Sequence, residues 1–124
     1  MTKVVNLRTD PYDVYIGRGS KWGNPFSYKD NTLAIYKVKS RSQSITKYEE
    51  YILENTYLLS SLEELKDKTL GCFCKKEGHK VSCHGDILAK LADLYQSDTN
   101  HTLSDLVKIY MKLYKTKRVS TDLF

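Results

Sequence analysis

The sequence predicts a small α/β or α+β single domain, in which a sheet of three or more strands packs with three or four helices. Its 124 residues are enough for one core and too few for two separate ones. Apolar residues make up 40% and charged residues 28%, which is typical of a folded chain and excludes overall disorder. Short β-branched runs and segments of helical periodicity follow one another along the chain.

The first half of the chain predicts two strands followed by an ordered loop. Residues 4–7 form a short apolar run, and Asp10-Pro11 then interrupts the regular structure. Residues 12–16 are rich in β-branched and aromatic side chains, which favours a second strand. We expect these two strands to form a hairpin-like pair, with residues 17–32 as the loop that follows.

The second half predicts mostly helices. Apolar residues at 3.6-residue spacing indicate the first helix, with Ser42 or Ser44 as its N-cap. Thr102 and Asp105 have the form of a capping box at the start of the last helix. The predicted elements are helices at 45–53, 58–66, 83–95 and 103–115, and a third, buried strand at 69–74.

Composition also restricts where the chain works and what it binds. No apolar run approaches the ~20 residues of a membrane span, and the N-terminus lacks the apolar core of a secretory signal. We therefore expect a cytoplasmic protein with no membrane partner. The net charge of +5 favours an anionic partner. Residues 101–124 hold five lysines and arginines against two aspartates, so part of this excess lies at the end of the chain.

The loop at 17–26 has the composition of an anion-binding site. Gly17 and Gly19 allow main-chain N–H groups to converge on an anion. Arg18 would add a bidentate grip on phosphate or carboxylate, and Lys21 a point charge. The spacing matches neither a Walker A loop nor the dinucleotide fingerprint. The alternative is a tight loop whose glycines only serve turns.

Two further residues of this loop, Trp22 and Asn24, have two interpretations each. The indole of Trp22 would offer a face to a nucleobase, but packing against the core is the preferred interpretation. The amide of Asn24, just before Pro25, would bond either the backbone or a ligand.

The cysteines form a second informative cluster. Cys72 and Cys74 lie two apart on the predicted strand, so both side chains project from the same face. Cys83 and His84 begin the following helix, at a position where open α/β sheets commonly bind ligands. An odd number of cysteines argues against a disulfide-stapled secreted scaffold.

Three interpretations of this cluster stay open. Cys72, Cys74, Cys83 and His84 are ligand types that suit Zn²⁺, although their spacing is not that of a standard zinc knuckle. Alternatively, Cys83 or Cys74 is a thiolate nucleophile, with His84 as the base and Asp86 as the orienting group. In the third interpretation the thiols are buried apolar side chains, and Asp86 only complements the helix dipole.

Four stretches of the chain resemble one family. DUF4326, a domain of unknown function in short proteins of bacteria, phages and large DNA viruses, is similar to VVNLR (4–8), YDVYIGRGSKWGNPF (12–26), SRSQSITKYEEYI (40–52) and LGCFC…CHGDILAKLA (70–92). The resemblance places the family domain at residues 1–95. Residues 96–124 are then a C-terminal helix and basic tail, packed on the same domain or extending it. A viral source would place the protein in the host cytoplasm.

The resemblance implies a site but no activity. The loop between Cys74 and Cys83 is longer than usual for the family and brings in His79, an alternative fourth zinc ligand. The polar positions that the resemblance implies for the site are Arg18, Asn24, Arg41, Cys83, His84 and Asp86.

From these observations we expect a phosphorylated, nucleotide-like anion to bind in a pocket between residues 17–26 and 83–86, with or without hydrolysis or group transfer. The alternative is a zinc-stabilised nucleic-acid-binding module, because Lys108, Lys112 and Lys115 share one face of the last helix. A third interpretation is a protein-interaction module, in which the last helix docks on a partner or on a second copy of the chain.

Overall fold

The computed structural model describes residues 1–27, 36–73, 83–95 and 102–115; of residue 115 it describes only the backbone. Within these ranges there are five short strands and four α-helices. The strands are β1 (Lys3–Asn6), β2 (Val14–Tyr15), β3 (Phe26–Ser27), β4 (Tyr36–Lys37) and β5 (Thr69–Cys72). The helices are α1 (Arg41–Leu53), α2 (Thr56–Ser60), α3 (His84–Leu94) and α4 (Leu103–Tyr110), with a 3₁₀ turn at Leu62–Glu64 and a π-helical turn at Met111–Lys115.

The main sheet is parallel and has the order β1-β5-β2. Val4 and Val14 are both in register with Leu70 of β5, which lies between the two earlier strands. The predicted hairpin-like pair of the first two strands is therefore wrong. Strand β5 takes the central position because Leu70, Gly71 and Cys72 form a continuous run that is buried along its length, as central parallel strands require.

Parallel pairing brings the ends of all three strands to one edge of the sheet. We call this the carboxyl edge, formed by residues 6–8, 15–18 and 72–73. A separate parallel pair joins β3, which lies within the segment that was expected to be loop up to residue 32, to β4, which lies after that segment. The mixed α/β fold class is confirmed, and the sheet of three strands and the four helices agree with the expected architecture.

The first helix begins earlier than its periodicity indicates. Helix α1 has Ser40 as its N-cap, whose hydroxyl accepts a hydrogen bond from the Gln43 N–H at 3.1 Å. The predicted caps Ser42 and Ser44 are therefore wrong. Ser40 has an extended backbone that suits a cap, whereas Ser44 is buried in the helix and bonds Asn24.

The remaining helices agree with the predicted positions apart from their ends. The expected helix at 58–66 is divided into α2 and the 3₁₀ turn. Helix α3 begins after Cys83, and the capping box of Thr102 and Asp105 on α4 is confirmed. The end of the predicted third strand at Cys74, residues 96–101 and the basic tail after residue 115 lie outside the described residues.

Helix α3 packs closely on the sheet because its first turn contains a glycine. A Cβ on Gly85 would come within 2.7 Å of the Ile16 side chain and 3.0 Å of Val4. Helix α4 adds Leu106 and Tyr110 to the same core, where the Tyr110 hydroxyl donates to the Glu49 carboxylate at 2.6 Å. The core thus holds the first turn of α3 against the carboxyl edge.

Candidate functional site

The loop at 17–26 and the start of α3 meet at the carboxyl edge. The His84 ring nitrogen Nε2 lies 2.7 Å from the carbonyl oxygen of Ile16, the residue just before this loop. A carbonyl only accepts, so Nε2 donates, and the lone pair of the neutral ring is then on Nδ1. Burial lowers the pKa of His84, with the hydrogen bond to Ile16 opposing that shift. The two segments that the sequence singled out are therefore adjacent.

Two thiols lie beside this imidazole. Cys83 Sγ is 3.6 Å from His84 Nδ1 and 3.2 Å from Cys72 Sγ, and all three residues are buried. Cys83 is the N-cap of α3, and its sulfur also accepts the Gly85 N–H at 3.3 Å. An extended cap residue can turn its side chain toward the first helical residue, which explains how adjacent residues come into contact.

The zinc hypothesis stays a prediction. Within the described residues, no group of three His, Cys, Asp or Glu side chains has an arrangement that could hold a metal ion. Three of the four predicted ligands, Cys72, Cys83 and His84, are close together. The fourth, Cys74, and the alternative His79 lie outside the described residues.

Asp86 completes the helix cap and does not supply the hydrogen bond that orients His84. Its carboxylate accepts the Cys83 N–H at 3.0 Å, in a capping box with Cys83. The hydrogen bond that orients His84 is the one that its Nε2–H donates to the Ile16 carbonyl. Asp86 also lines an open cavity of about 490 Å³ between β1 and α3, together with Lys3, Lys90 and other side chains.

Arg18 closes its own loop. Its guanidinium donates to the carbonyl oxygens of Asn24 and Phe26, the latter at 3.2 Å. Its positive charge still lies near enough to contribute to the lowered pKa of His84. Gly19 has a φ of 92°, a conformation that favours glycine. The glycine and the arginine thus shape the loop, and Arg18 keeps its charge at the carboxyl edge.

The other predicted ligand-binding residues also have structural contacts. The Lys21 ammonium lies 2.6 Å from the Glu64 carboxylate, and this hydrogen bond raises its pKa. The Asn24 amide donates to the Ser44 hydroxyl at 2.8 Å, while its oxygen accepts the Phe26 N–H at 2.9 Å. Their predicted roles toward a ligand stay predictions.

Trp22 belongs to the core. Only 2% of its surface is exposed, and the Tyr48 hydroxyl donates to its carbonyl at 2.7 Å. The preferred interpretation of core packing is confirmed, and the indole offers no open face to a nucleobase in this structure. Gly17 is buried, and a Cβ there would come within 2.5 Å of the Tyr15 hydroxyl oxygen. Arg41 is half-buried at the start of α1.

Sequence reasoning missed three residues at the carboxyl edge. The Arg8 guanidinium is exposed and lies 5.0 Å from the centre of the Phe73 ring, which is 52% exposed. The ring of Tyr15 meets Phe73 edge-on at 6.3 Å. Tyr15 ends β2, Phe73 directly follows β5, and Arg8 lies two residues after β1, so recognition of parallel pairing would have placed them together. The hairpin interpretation would instead have placed residues 8 and 15 at opposite ends of the strand pair.

The lowered pKa of His84 predicts that stability depends on pH. The folded chain disfavours protonation of His84. As the pH falls toward 6.5, the ordinary pKa of histidine, the unfolded chain therefore takes up this proton before the folded chain does. The free energy of unfolding should therefore fall between pH 7.5 and 5.5, by at most about 1.4 kcal/mol per pH unit. Urea unfolding across this range measures it. His84→Gln should flatten the profile, and an equally steep profile in that variant would assign the effect elsewhere.

Comparison with known proteins places the chain in a family. Residues 2–94 match the family described as "Domain of unknown function (DUF4326)". The chain belongs to the DUF4326 family. "Uncharacterized protein R718" of Acanthamoeba polyphaga mimivirus is 35% identical over 115 residues, covering 79% of this chain and 82% of that protein. "Uncharacterized 12.4 kDa protein in nrdA-td intergenic region" of Enterobacteria phage T4 is 32% identical over 107 residues, covering 79% of this chain and 84% of that protein.

The DUF4326 match confirms the resemblance seen in the sequence and includes the whole carboxyl edge. No solved structure matches the chain. The family match ends at residue 94, before helix α4 begins. Among the helices of the described ranges, none is long and apolar enough to cross a membrane. The family match therefore covers the part of the chain that builds the site.

Proposed function

We propose that this DUF4326 chain binds a phosphorylated, nucleotide-like ligand at the carboxyl edge of its parallel sheet. The observation that carries the proposal is the meeting of three parallel strand ends with the first turn of α3. In open α/β sheets, this edge is where ligands commonly bind. Because the start of α3 is buried against the end of β2, the ligand would lie on the exposed side of this edge, against Arg8 and Phe73 and beside the loop at 17–26.

Charge supports an anion at this edge. The Arg8 guanidinium is exposed and, within the part of the chain that the structure describes, pairs with no carboxylate. Arg18 lies deeper in the same edge and is held by its own loop. Guanidinium groups favour phosphate oxygens, which accept paired N–H donors, so the two arginines give this edge a positive charge that suits a phosphate.

The aromatic side chains support a ligand that also carries a base. Phe73 is half exposed beside Arg8, and the ring of Tyr15 packs edge-on against the Phe73 ring. A nucleobase stacks on an exposed ring with a free energy of about 1–3 kcal/mol. In a bound nucleotide, Arg8 would therefore contact the phosphate and Phe73 would stack on the base.

The proposal predicts that Arg8→Ala weakens nucleotide binding. A hydrogen bond to a charged group contributes about 1.5–3 kcal/mol, so we expect a loss of roughly tenfold to hundredfold in affinity. Thermal shift with inorganic phosphate and with nucleoside mono-, di- and triphosphates, followed by titration calorimetry of the best probe, measures it. Lys108→Ala is the matched control, because Lys108 is also an exposed cation but lies on α4.

The same panel separates the alternative function. Lys108 and Lys112 are both exposed, as a nucleic-acid interface on the last helix requires, and the side chain of Lys115 lies outside the described residues. If no nucleotide raises the melting temperature of the unaltered chain, the proposal fails. If Lys108→Ala removes binding and Arg8→Ala does not, the binding site lies on α4 and not at the carboxyl edge.

A further inference from the structure

We propose that Cys72 and Cys83 form a reversible intramolecular disulfide when the chain meets a peroxide. The two sulfurs lie 3.2 Å apart, at the end of β5 and at the N-cap of α3. A disulfide bond is about 2.05 Å long, so closing it requires the sulfurs to approach by about 1 Å. This inference is independent of the proposed ligand.

The surroundings fix the Cys83 sulfur in place. It accepts the Gly85 N–H at 3.3 Å and lies 3.6 Å from His84 Nδ1. His84 is in turn held by its bond to the Ile16 carbonyl. Because a helix N-terminus favours negative charge, this position also suits a thiol that reacts as the thiolate. We therefore assign the first step to Cys83 and the second to Cys72.

The chemistry consumes one peroxide and two thiols. The Cys83 sulfur attacks one peroxide oxygen, the O–O bond breaks, and the leaving oxygen takes the thiol proton to become water. The Cys72 sulfur then attacks the resulting sulfenic acid, and an S–S bond forms as the S–O bond breaks. The second oxygen leaves with the Cys72 proton as another water. The two thiols lose two electrons and hydrogen peroxide gains them.

Burial selects the size of the oxidant. Cys72 is fully buried and Cys83 is 1% exposed, so a protein disulfide or a bulky aromatic disulfide has no direct access to either sulfur. Hydrogen peroxide is close to water in size and is the oxidant that suits such a site. The folded chain should therefore react with hydrogen peroxide and resist 5,5′-dithiobis(2-nitrobenzoic acid).

Mass spectrometry of the purified full-length chain tests the proposal. Peroxide treatment should lower the intact mass by about 2 Da, and dithiothreitol should restore it after the treated chain is unfolded in guanidinium. Trypsin leaves Cys72 and Cys74 together on the peptide 69–75 and Cys83 on the peptide 81–90, and these two should be linked. Cys74→Ser resolves the ambiguity and should keep the link. Cys72→Ser and Cys83→Ser should both lose it, and Cys72→Ser should accumulate a sulfenic acid, which dimedone traps once the treated chain is unfolded in guanidinium.

Three results would overturn the assignment. One is a link that disappears in Cys74→Ser and persists in Cys72→Ser. Another is no mass loss in the folded chain at a peroxide concentration that oxidises the chain unfolded in guanidinium. The last is one equivalent of zinc in the purified protein, which would make the thiols metal ligands and not a redox pair.

Discussion

Trp22→Ala is expected to destabilise the folded chain by about 3–5 kcal/mol, the usual cost of removing a large buried aromatic side chain. The indole is almost completely buried and belongs to the same core as Tyr48 and Ile52 of α1. Its removal leaves a cavity between the loop at 17–26 and α1, so the loop should also lose its fixed position. Urea unfolding at pH 7.5 measures the change as a lower midpoint.

Tyr57→Ala is the matched control for this variant. The rings of Tyr57 and Trp22 both lie within 6 Å of the Lys21 ammonium, at 5.6 and 5.3 Å, but Tyr57 is 66% exposed. Both variants therefore lose a contact with Lys21, but only Trp22→Ala removes a buried side chain. We expect Tyr57→Ala to change stability by about 0.5 kcal/mol or less. Equal effects of the two substitutions would contradict the assignment of Trp22 to the core.

His84→Ala should cost about 3 kcal/mol at pH 7.5, where the ring is neutral. It leaves the buried Ile16 carbonyl without that N–H donor, at about 1–3 kcal/mol, and the cavity beside Tyr48 adds to this. Urea unfolding again provides the measurement. Since His84 joins α3 to the end of β2, amide exchange should also accelerate on both sides of this contact.

His84→Gln is the control that keeps an N–H donor. A glutamine amide can donate to the Ile16 carbonyl and fills part of the ring's volume, so it should recover part of the lost stability. The pH dependence should not return, because the amide does not titrate. If alanine and glutamine at position 84 are equally destabilising, the hydrogen bond to Ile16 contributes little, and the structure of the site would need another explanation.

Local patterns were sufficient to predict the helices and the three strands of the main sheet, but not the short strands β3 and β4 or how the strands pair. The runs at 4–7 and 69–74 each predict a strand from their own composition. Their pairing joins residues more than 60 positions apart, as Lys3 with Thr69, and nothing local distinguishes it from a hairpin of the first two strands. The carboxyl edge depends on that pairing. Around this edge, the sequence therefore identified the loop at 17–26, the cysteines and the start of α3, but not Arg8, Tyr15 or Phe73.

The candidate site shows the same limit at the level of single residues. Composition identified Arg18, but an arginine that binds carbonyl oxygens of its own loop has the same local sequence as one that binds phosphate. The partner of His84 is a backbone carbonyl, which has no side-chain signal. Cys83 and His84 were recognisable because their residue types are chemically distinctive, and Arg8 was missed because a single cation after a strand is common.

A ligand titration followed by NMR of the ¹⁵N-labelled full chain tests the central claim most directly. The probes are inorganic phosphate and the nucleoside mono-, di- and triphosphates of the thermal-shift panel. The account predicts that at least one nucleotide shifts backbone amides of residues 6–8, 16–18, 72–73 and 83–86 together, with a saturable dependence on concentration. No shift with any probe, or shifts confined to α4, would contradict it.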